Sequence, residues 1–469
     1  MRVAPRDLTA SRPSRVERPF HFSHATGTMS AVARRCHVVA RTLCGELGEH
    51  TGQEVSLRGW VHRIRDFGGV RFVVLRDRSG TAQVVVPREV ALGDVGCEWV
   101  VAVDGRCRLE PRAPGGVEVL AERVAPISRA ETPPIEVFNP DALTKNRLDT
   151  LLDHRAISLR IPEALDVLRV SAVVLAAFRE HLTRNGFTEI TTPKLVLAGA
   201  EGGSAVFAVD YYEGKAYLAQ SPQFYKEIMV ASGLERVFEA GHAYRAEKSE
   251  TSRHLTEYLS LDFEMGFVES HEDVMAMHEG LIAAIFAAVR EKCAGILKRR
   301  CVTLPESRRI PRVPFPEARR ILAERFGKTQ GLDGDLDTEG ERLICQWAAE
   351  ELDSELVFVT GYHADRRPMY TMPEPDAPPL TRSFDLLFRG VEITTGGQRI
   401  HDYAQMIESI RSRGLDPANY EGYLEAFRHG MCPHGGMGMG IERLLAQMLG
   451  LANVREATAF PRDRYRLTP

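Results

Sequence analysis

Gly438-Met439-Gly440-Ile441-Glu442-Arg443 sets two glycines just ahead of an acid and an arginine. Bulky side chains would block close approach there, so the stretch reads as a glycine-rich turn that delivers Arg443 to a phosphate. Two further clusters lie upstream: Arg245-Ala246-Glu247 followed by Arg253-His254, and Glu392 followed by Arg399. A guanidinium grips phosphate or carboxylate through a fixed fork of donors. A carboxylate can hold a magnesium ion. Together the clusters are the parts of a phosphate-activating site. The chain has no G-x-x-x-x-G-K-[ST] loop and no G-x-G-x-x-G opening a helix after a strand, so the two common nucleotide-binding architectures lack support.

The 469 residues, 44% of them hydrophobic, can fill more than one core. The richest apolar run, Leu281 to Val289, is short and sits in a charged helical context, so no membrane span is expected. Cys36, Cys44, Cys97, Cys107, Cys293, Cys301, Cys345 and Cys432 form no C-x-x-C pair and have no closely paired histidines downstream. That spacing speaks against zinc and against a disulfide framework, and points to reduced thiols in a cytoplasm. The net charge of -4 does not exclude a nucleic-acid partner, because affinity follows the local field. Six arginines against two aspartates between Arg58 and Arg78 make the densest basic stretch outside the termini.

Residues 1–35 are rich in Arg, Ser, Pro and His without apolar periodicity, and read as a disordered extension. Short β runs follow over 36–130: Val55 to Ile64, Arg71 to Asp77, Thr81 to Pro87, Trp99 to Leu109 and Val117 to Val124, with Gly68-Gly69 and Ser79-Gly80 as turns. Five such strands suggest a small OB-type barrel, a fold that commonly binds single-stranded nucleic acid. Residues 131–160 gain prolines and lose strand periodicity, as a hinge or linker does. The second domain occupies 161–469 and opens on a helix from Leu165 to Asn185, with Gly186 in the usual position past its end. The stretch 271–380 mixes amphipathic helices such as Glu272 to Lys298 with charged, proline-rich connectors. It carries no legible chemistry, and its helices are expected to pack on a sheet or form a modest insertion.

In chain order the clusters resemble motifs two and three of the class II aminoacyl-tRNA synthetases, and Gly186-Phe187-Thr188-Glu189-Ile190-Thr191-Thr192-Pro193 resembles motif one. Within that class, Gln220-Ser221-Pro222-Gln223-Phe224-Tyr225-Lys226, Gly397-Gln398-Arg399 and the tail from Phe460 to Pro469 are similar to the aspartyl-tRNA synthetases of the archaeal and eukaryotic branch. The likeness covers residues 45 to 469. It implies an α+β chain: an N-terminal five-stranded OB-type β-barrel that binds the anticodon, then a class II synthetase domain whose mostly antiparallel sheet is flanked by helices and carries a bent ATP. It also implies a homodimer, with the motif-one helix and strand at the interface.

Residue by residue, the resemblance assigns Arg245 to the α-phosphate and the reacting carboxylate, Glu247 to adenine or ribose, and Arg253 and His254 to the outer phosphates. Tyr258 stands where relatives place an aromatic under the adenine ring, Leu255 is a further ATP contact, and Gly440, Ile441 and Glu442 lead to Arg443 on the terminal phosphate. Asp385 and Glu392 would hold Mg²⁺, with Thr395 where many relatives carry serine; no zinc is implied. Lys226 and Arg399 would select the side-chain carboxylate of L-aspartate, supported by Gln223, while Glu201 in Glu201-Gly202-Gly203-Ser204 faces the α-amino group. On the barrel, Phe72 would stack on an anticodon base and Gln83 read its edge. His62 and Pro114 stand where discriminating members have tryptophan and lysine. That combination resembles non-discriminating enzymes, which charge tRNA(Asp) and tRNA(Asn) and leave an amidotransferase to finish the conversion. A discriminating enzyme for tRNA(Asp), an asparaginyl-tRNA synthetase and a non-catalytic RNA-binding paralogue are the alternatives.

Overall fold

The computed structural model describes residues 40–139, 141–197, 199, 206–246, 251–306 and 309–468. Two compact units meet between Ala130 and Glu131.

In the first unit, alternating apolar residues build five strands: β1 (Glu54–Phe67), β2 (Val70–Asp77), β3 (Gly80–Val86), β4 (Val100–Leu109) and β5 (Val117–Ser128). They close a barrel in the order β1-β2-β3-β5-β4. Val55, Leu57, Val73, Leu75, Val84, Val86, Val101, Val103 and Val119 fill its interior. All five expected strands are present, and β1 runs past Ile64 because Arg65, Asp66 and Phe67 stay paired with β2 as far as the Gly68-Gly69 turn. That turn needs φ of 60° and 90°, which glycine adopts without strain. The β1–β2 register slips between Val61 and Arg63, leaving His62 in a bulge.

The second unit contributes β6 (Thr188–Glu189), β7 (Leu195–Val196), β8 (Ala208–Tyr211), β9 (Gly214–Leu218), β10 (Arg236–Tyr244), β11 (Glu257–Gly266), β12 (Arg312–Pro314), β13 (Leu356–Thr360), β14 (Ser383–Phe388), β15 (Val391–Gln398) and β16 (His434–Gly440). Eight of them form one sheet in the order β12-β13-β14-β15-β16-β11-β10-β6, and β7-β9-β8 form a small second sheet. The interior pairings of the large sheet are antiparallel; only the edge strands β12 and β6 pair in parallel. One of its faces is covered by the helices Pro162–Arg184 and His271–Lys292. Val167, Val170, Val174 and Phe178 of the first, and Leu281, Ile282, Ile285 and Phe286 of the second, recur at helical spacing and meet Phe238, Phe263, Phe358 and Phe384 of the strands. Gly186, at φ 80°, releases the chain from the first helix into β6.

Two expectations change here. The stretch read as a hinge packs within the second unit: Ile135, Val137, Ala142 and Leu151 bury with Ile161 and Ala164, and the Arg155 guanidinium donates to the carbonyls of Thr458 and Ala459. Gly438-Met439-Gly440 is no turn. It ends strand β16, with Gly438 opposite Asp262 and Met439 in the core. Glycine is required in this strand for close approach: a Cβ on Gly436 would lie 2.2 Å from the Phe263 carbonyl oxygen. The stretch also leaves the uncovered face of the sheet bare of side chains at Gly438. Among the described residues no helix is long and apolar enough to cross a membrane, and the described cysteines are free thiols.

Candidate active site

The sequence Ser260-Leu261-Asp262-Phe263-Glu264-Met265 lies in β11 and alternates polar with apolar residues. Period-two geometry sends Leu261, Phe263 and Met265 to the core and the three polar residues to the opposite face. There a cavity of about 350 Å³ opens over the sheet. Its wall includes Arg245, Arg253, His254, Leu255, Tyr258, Glu392, Thr395, Arg399, Gly440, Glu442 and Arg443, and also Gln223 and Asp262. Residues as far apart in the chain as Gln223 and Arg443 therefore share one space, because β10, β11, β15 and β16 are neighbours in the sheet.

At one end Arg399 forms part of the cavity wall and is otherwise buried. Its Nε donates to Glu264 Oε1 at 2.9 Å, and its guanidinium lies over the Tyr370 ring. Burial alone would raise the Glu264 carboxyl, but Arg399 and Lys226 outweigh it and hold it below the ordinary value. Lys226 differs from the expectation. It is 2% exposed, and its ammonium contacts Asp262 Oδ1 at 3.0 Å, Glu264 Oε2 at 3.2 Å and the Met437 carbonyl at 3.0 Å. Three protein acceptors match its three donors, so Lys226 sits behind Asp262 as a counter-ion rather than on the cavity wall. Gln223 Nε2 donates to Glu227 at 2.7 Å, which leaves its carbonyl oxygen on the Arg399 side. The other Glu227 oxygen accepts from Tyr423 and from His434 Nε2, each at 2.8 Å. His434 Nδ1 faces the Cys432 carbonyl at 2.8 Å. Both ring nitrogens thus face acceptors, as an imidazolium requires. Burial opposes that charge, and the Glu227 carboxylate overrides it to raise the His434 pKa.

At the other end, a bulge between Leu386 and Leu387 in the β14–β15 ladder leaves Ile393 and Thr394 both facing inward. Ile393 joins the core and Thr394 meets His278 Nε2 at 3.0 Å. Glu392 and Thr395 consequently point together into the cavity, with the threonine hydroxyl donating to Glu392 Oε1 at 2.8 Å. Burial pushes the Glu392 carboxyl up, but Arg443, the Thr395 hydroxyl, Arg367 and Arg245 hold it below its ordinary value. Asp385 departs from the expected pairing with Glu392. Arg367 takes both of its oxygens, at 3.0 and 2.6 Å, and stacks on Tyr362 at 3.8 Å. A carboxylate saturated by a bidentate guanidinium is not presented to a cation.

Arg443 donates to the carbonyls of Glu392 at 3.0 Å and Arg253 at 3.2 Å, and lies 3.5 Å from Glu392 Oε2. Arg253 forms a two-pronged pair with Glu341 at 3.0 and 2.9 Å, and His254 Nδ1 contacts the Thr251 hydroxyl at 2.6 Å. Arg245 lies over the Tyr258 ring at 5.7 Å. Ile441, expected along the nucleotide, turns into the core. Its place as the first residue of the helix Ile441–Leu449 sets Glu442 and Arg443 on the cavity side. Glu201 and Glu247 lie outside the described residues.

Glu341 and Arg367 come from the stretch that carried no legible chemistry, and sequence reasoning missed both, as it missed Asp262, Glu264, Glu227 and His434. The alternation Ser260, Asp262, Glu264 was a usable signal. Glu341 and Arg367 sit in a helix and a loop with no local pattern to set them apart.

Glu442 supplies a pH test. Burial pushes its carboxyl up to about 7, although both oxygens accept from the Leu259 amide, at 3.1 and 3.3 Å. A folded pKa above the ordinary 4.5 means that the folded chain binds this proton more tightly, so the group's contribution to stability falls as pH rises through that interval. Glu442→Gln keeps an acceptor and removes the titration. Its stability relative to the parent should rise between about pH 5 and about pH 8, with a slope of at most about 1.4 kcal/mol per pH unit. Parallel denaturant curves whose difference is the same at both pH values would contradict this.

On the barrel, Phe72 and Gln83 share the outer face, across the pairings Phe72–Val85 and Val74–Gln83. Gln83 Nε2 donates to Glu118 at 2.8 Å, itself paired with Arg108. His62 is half-buried and accepts from Arg76 at 2.9 Å, and Arg76 also pairs with the buried Glu98 at 2.9 Å. Burial, then Arg76, push the His62 ring below its ordinary pKa. Pro114 opens an exposed turn between β4 and β5.

Residues 147–464 match the family model of class II tRNA synthetases (D, K and N), and residues 55–127 match the OB-fold nucleic acid binding domain. The chain is 48% identical to an aspartate–tRNA(Asp/Asn) ligase of Deinococcus radiodurans, covering 92% of this chain and 99% of the relative. It is 43% identical to an aspartate–tRNA(Asp) ligase of Thermococcus kodakarensis, covering 90% and 97%. Among solved structures, asparaginyl-tRNA synthetase from Pyrococcus horikoshii complexed with asparaginyl-adenylate superposes with a TM-score of 0.86 at 33% identity, covering 92% of this chain and 99% of that one. With a matching catalytic model, a matching barrel and relatives aligned over nearly their whole length, the chain belongs to the aspartate–tRNA ligase family of class II aminoacyl-tRNA synthetases.

Proposed function

We propose that this protein activates L-aspartate with ATP and transfers it to tRNA, charging both tRNA(Asp) and tRNA(Asn). The observation that carries the first half is the single cavity in which Arg245, Glu392, Arg399 and Arg443 converge. The aspartate α-carboxylate attacks the α-phosphorus of ATP, and the bond to the bridging oxygen breaks to release pyrophosphate. A terminal ribose hydroxyl of the tRNA then attacks the activated carbonyl, and AMP leaves. Neither step needs a protein nucleophile; positioning and charge neutralisation supply the rate. Arg245 steadies the α-phosphate and the attacking carboxylate, Arg443 the far phosphates, and Tyr258 lies beside the nucleotide base. Arg253 reaches phosphate by exchanging Glu341 for it.

Magnesium fits the residues present: Glu392 faces the cavity with one oxygen bonded, among the described residues, by the Thr395 hydroxyl alone, and Mg²⁺ is usually held by one or two carboxylates plus phosphates and water. When bound it would neutralise charge between phosphates. Arg399 recognises the side-chain carboxylate, and Lys226 acts through Asp262 and Glu264. An amide in place of that carboxylate would leave buried donors unpaired, which is costly.

The second half rests on the dual naming of relatives such as that of Deinococcus radiodurans and on His62 and Pro114 in the barrel. The protein would act in the cytoplasm as a homodimer joined through the helix Pro162–Arg184 and β6, with an amidotransferase downstream. Charging assays with separate tRNA(Asp) and tRNA(Asn) transcripts test it. Aspartylation of both is expected; failure on tRNA(Asn) alone would make the enzyme discriminating. Pyrophosphate exchange driven by asparagine and not by aspartate would remove the proposal altogether.

A further inference from the structure

Phe67 ends β1 at the tip of the β1–β2 hairpin with 72% of its surface exposed, the highest exposure of any large apolar residue in the described barrel, shared with Leu109. The barrel core gives no account of it: the neighbouring Ile64 packs against the interior and Phe67 does not. The ladder fixes where it points. Arg65 is directly opposite Phe72, and residues two apart on a strand share a face. Arg63, Arg65 and Phe67 therefore share the outer face with Phe72, and the β2–β3 register adds Gln83 to it. The two rings stand 6.4 Å apart at 85°, edge against face. Phe72 is half-buried; Phe67 leaves most of its ring to solvent.

We infer that Phe67 is a second stacking platform, which together with Phe72 holds two unpaired bases of a single-stranded RNA loop. The inference deepens the proposed tRNA-charging function and rests on it. An exposed aromatic alone would suit any apolar partner, and charge decides between them. Arg63 and Arg65 are exposed on the same face, and Arg88 donates to the Gly68 carbonyl behind the turn. This surface suits a polyanion with flat faces: bases stack on the rings while the arginines follow the phosphates. Gly68 and Gly69 keep the approach clear, having no side chain of their own.

The test uses the full chain and a tRNA(Asp) transcript, with Phe67→Ala, Phe67→Leu, Phe67→Trp and, in parallel, Phe72→Ala, and with the melting temperature as the check on folding. Stacking predicts that alanine and leucine alike raise the tRNA Kd and KM by about fivefold to a hundredfold, while tryptophan stays within about twofold of the parent. Leucine is the decisive arm, because it keeps an apolar side chain and removes the π face. If leucine binds RNA as the parent does, if alanine is without effect while Phe72→Ala weakens binding, or if alanine changes the oligomeric state, Phe67 is no base platform. If Phe72→Ala is silent as well, the barrel face is not the RNA face, and the underlying reading of the barrel fails with it.

Discussion

Arg399→Leu should lower aspartate-dependent pyrophosphate exchange by about a hundredfold to a few thousandfold, the equivalent of about 3 to 5 kcal/mol for breaking a buried ion pair from one side. Arg399 lines the cavity, and it is one of the cations that face Glu264, which is itself 0% exposed. Removing it takes away the carboxylate receptor and leaves a buried acid in its place, so the aspartate binding region would turn from attractive to repulsive. Arg399→Lys keeps the charge but loses the fork, and should recover only part of the loss. Exchange kinetics with aspartate varied at saturating ATP read the effect. Activity within about threefold of the parent in Arg399→Leu would mean that the carboxylate is read elsewhere.

Lys226→Met should act chiefly on stability. Asp262 and Glu264, both buried, would lose a shared counter-ion at a cost of about 3 to 5 kcal/mol, and the denaturation midpoint should fall accordingly. The KM for aspartate should rise as well, since Asp262 lines the cavity and would no longer be held. The informative combination is the ratio of the two effects. An unchanged midpoint with a raised KM would restore Lys226 as a direct contact to substrate, because a solvent-facing lysine contributes little to stability.

These two residues also mark how far the sequence could be read. Both were singled out as cations near a carboxylate, and both lie at that end of the site. Their division of labour was not legible, because it depends on which donors the sheet saturates from behind. Lys226 is spent on Asp262, Glu264 and the Met437 carbonyl, and those acceptors come from strands far away in the chain. Asp385 was misjudged for the same reason: spacing placed it near Glu392, and only the fold reveals that Arg367 already occupies it. The barrel was legible strand by strand because a half-buried strand writes its period into the sequence. The glycines of β16 misled, since the same residues serve tight turns and crowded central strands, and sequence does not distinguish the two uses. Glu341 stayed hidden because a helix acid that caps Arg253 looks like any other acid of an amphipathic helix.

The bulge in β15 marks the one place in the strand where chain length and chemistry are separable. Side chains of a strand alternate strictly, so the extra residue between Glu392 and Thr395 is what lets both look the same way. Exchanging Ile393 for another aliphatic residue would leave that parity intact. Deleting either Ile393 or Thr394 would remove the bulge and leave Glu392 and Thr395 two apart on a regular strand, still on the same face, at the cost of one inward side chain. Anywhere else along the strand, the loss or gain of a single position would turn every later residue to the other side of the sheet.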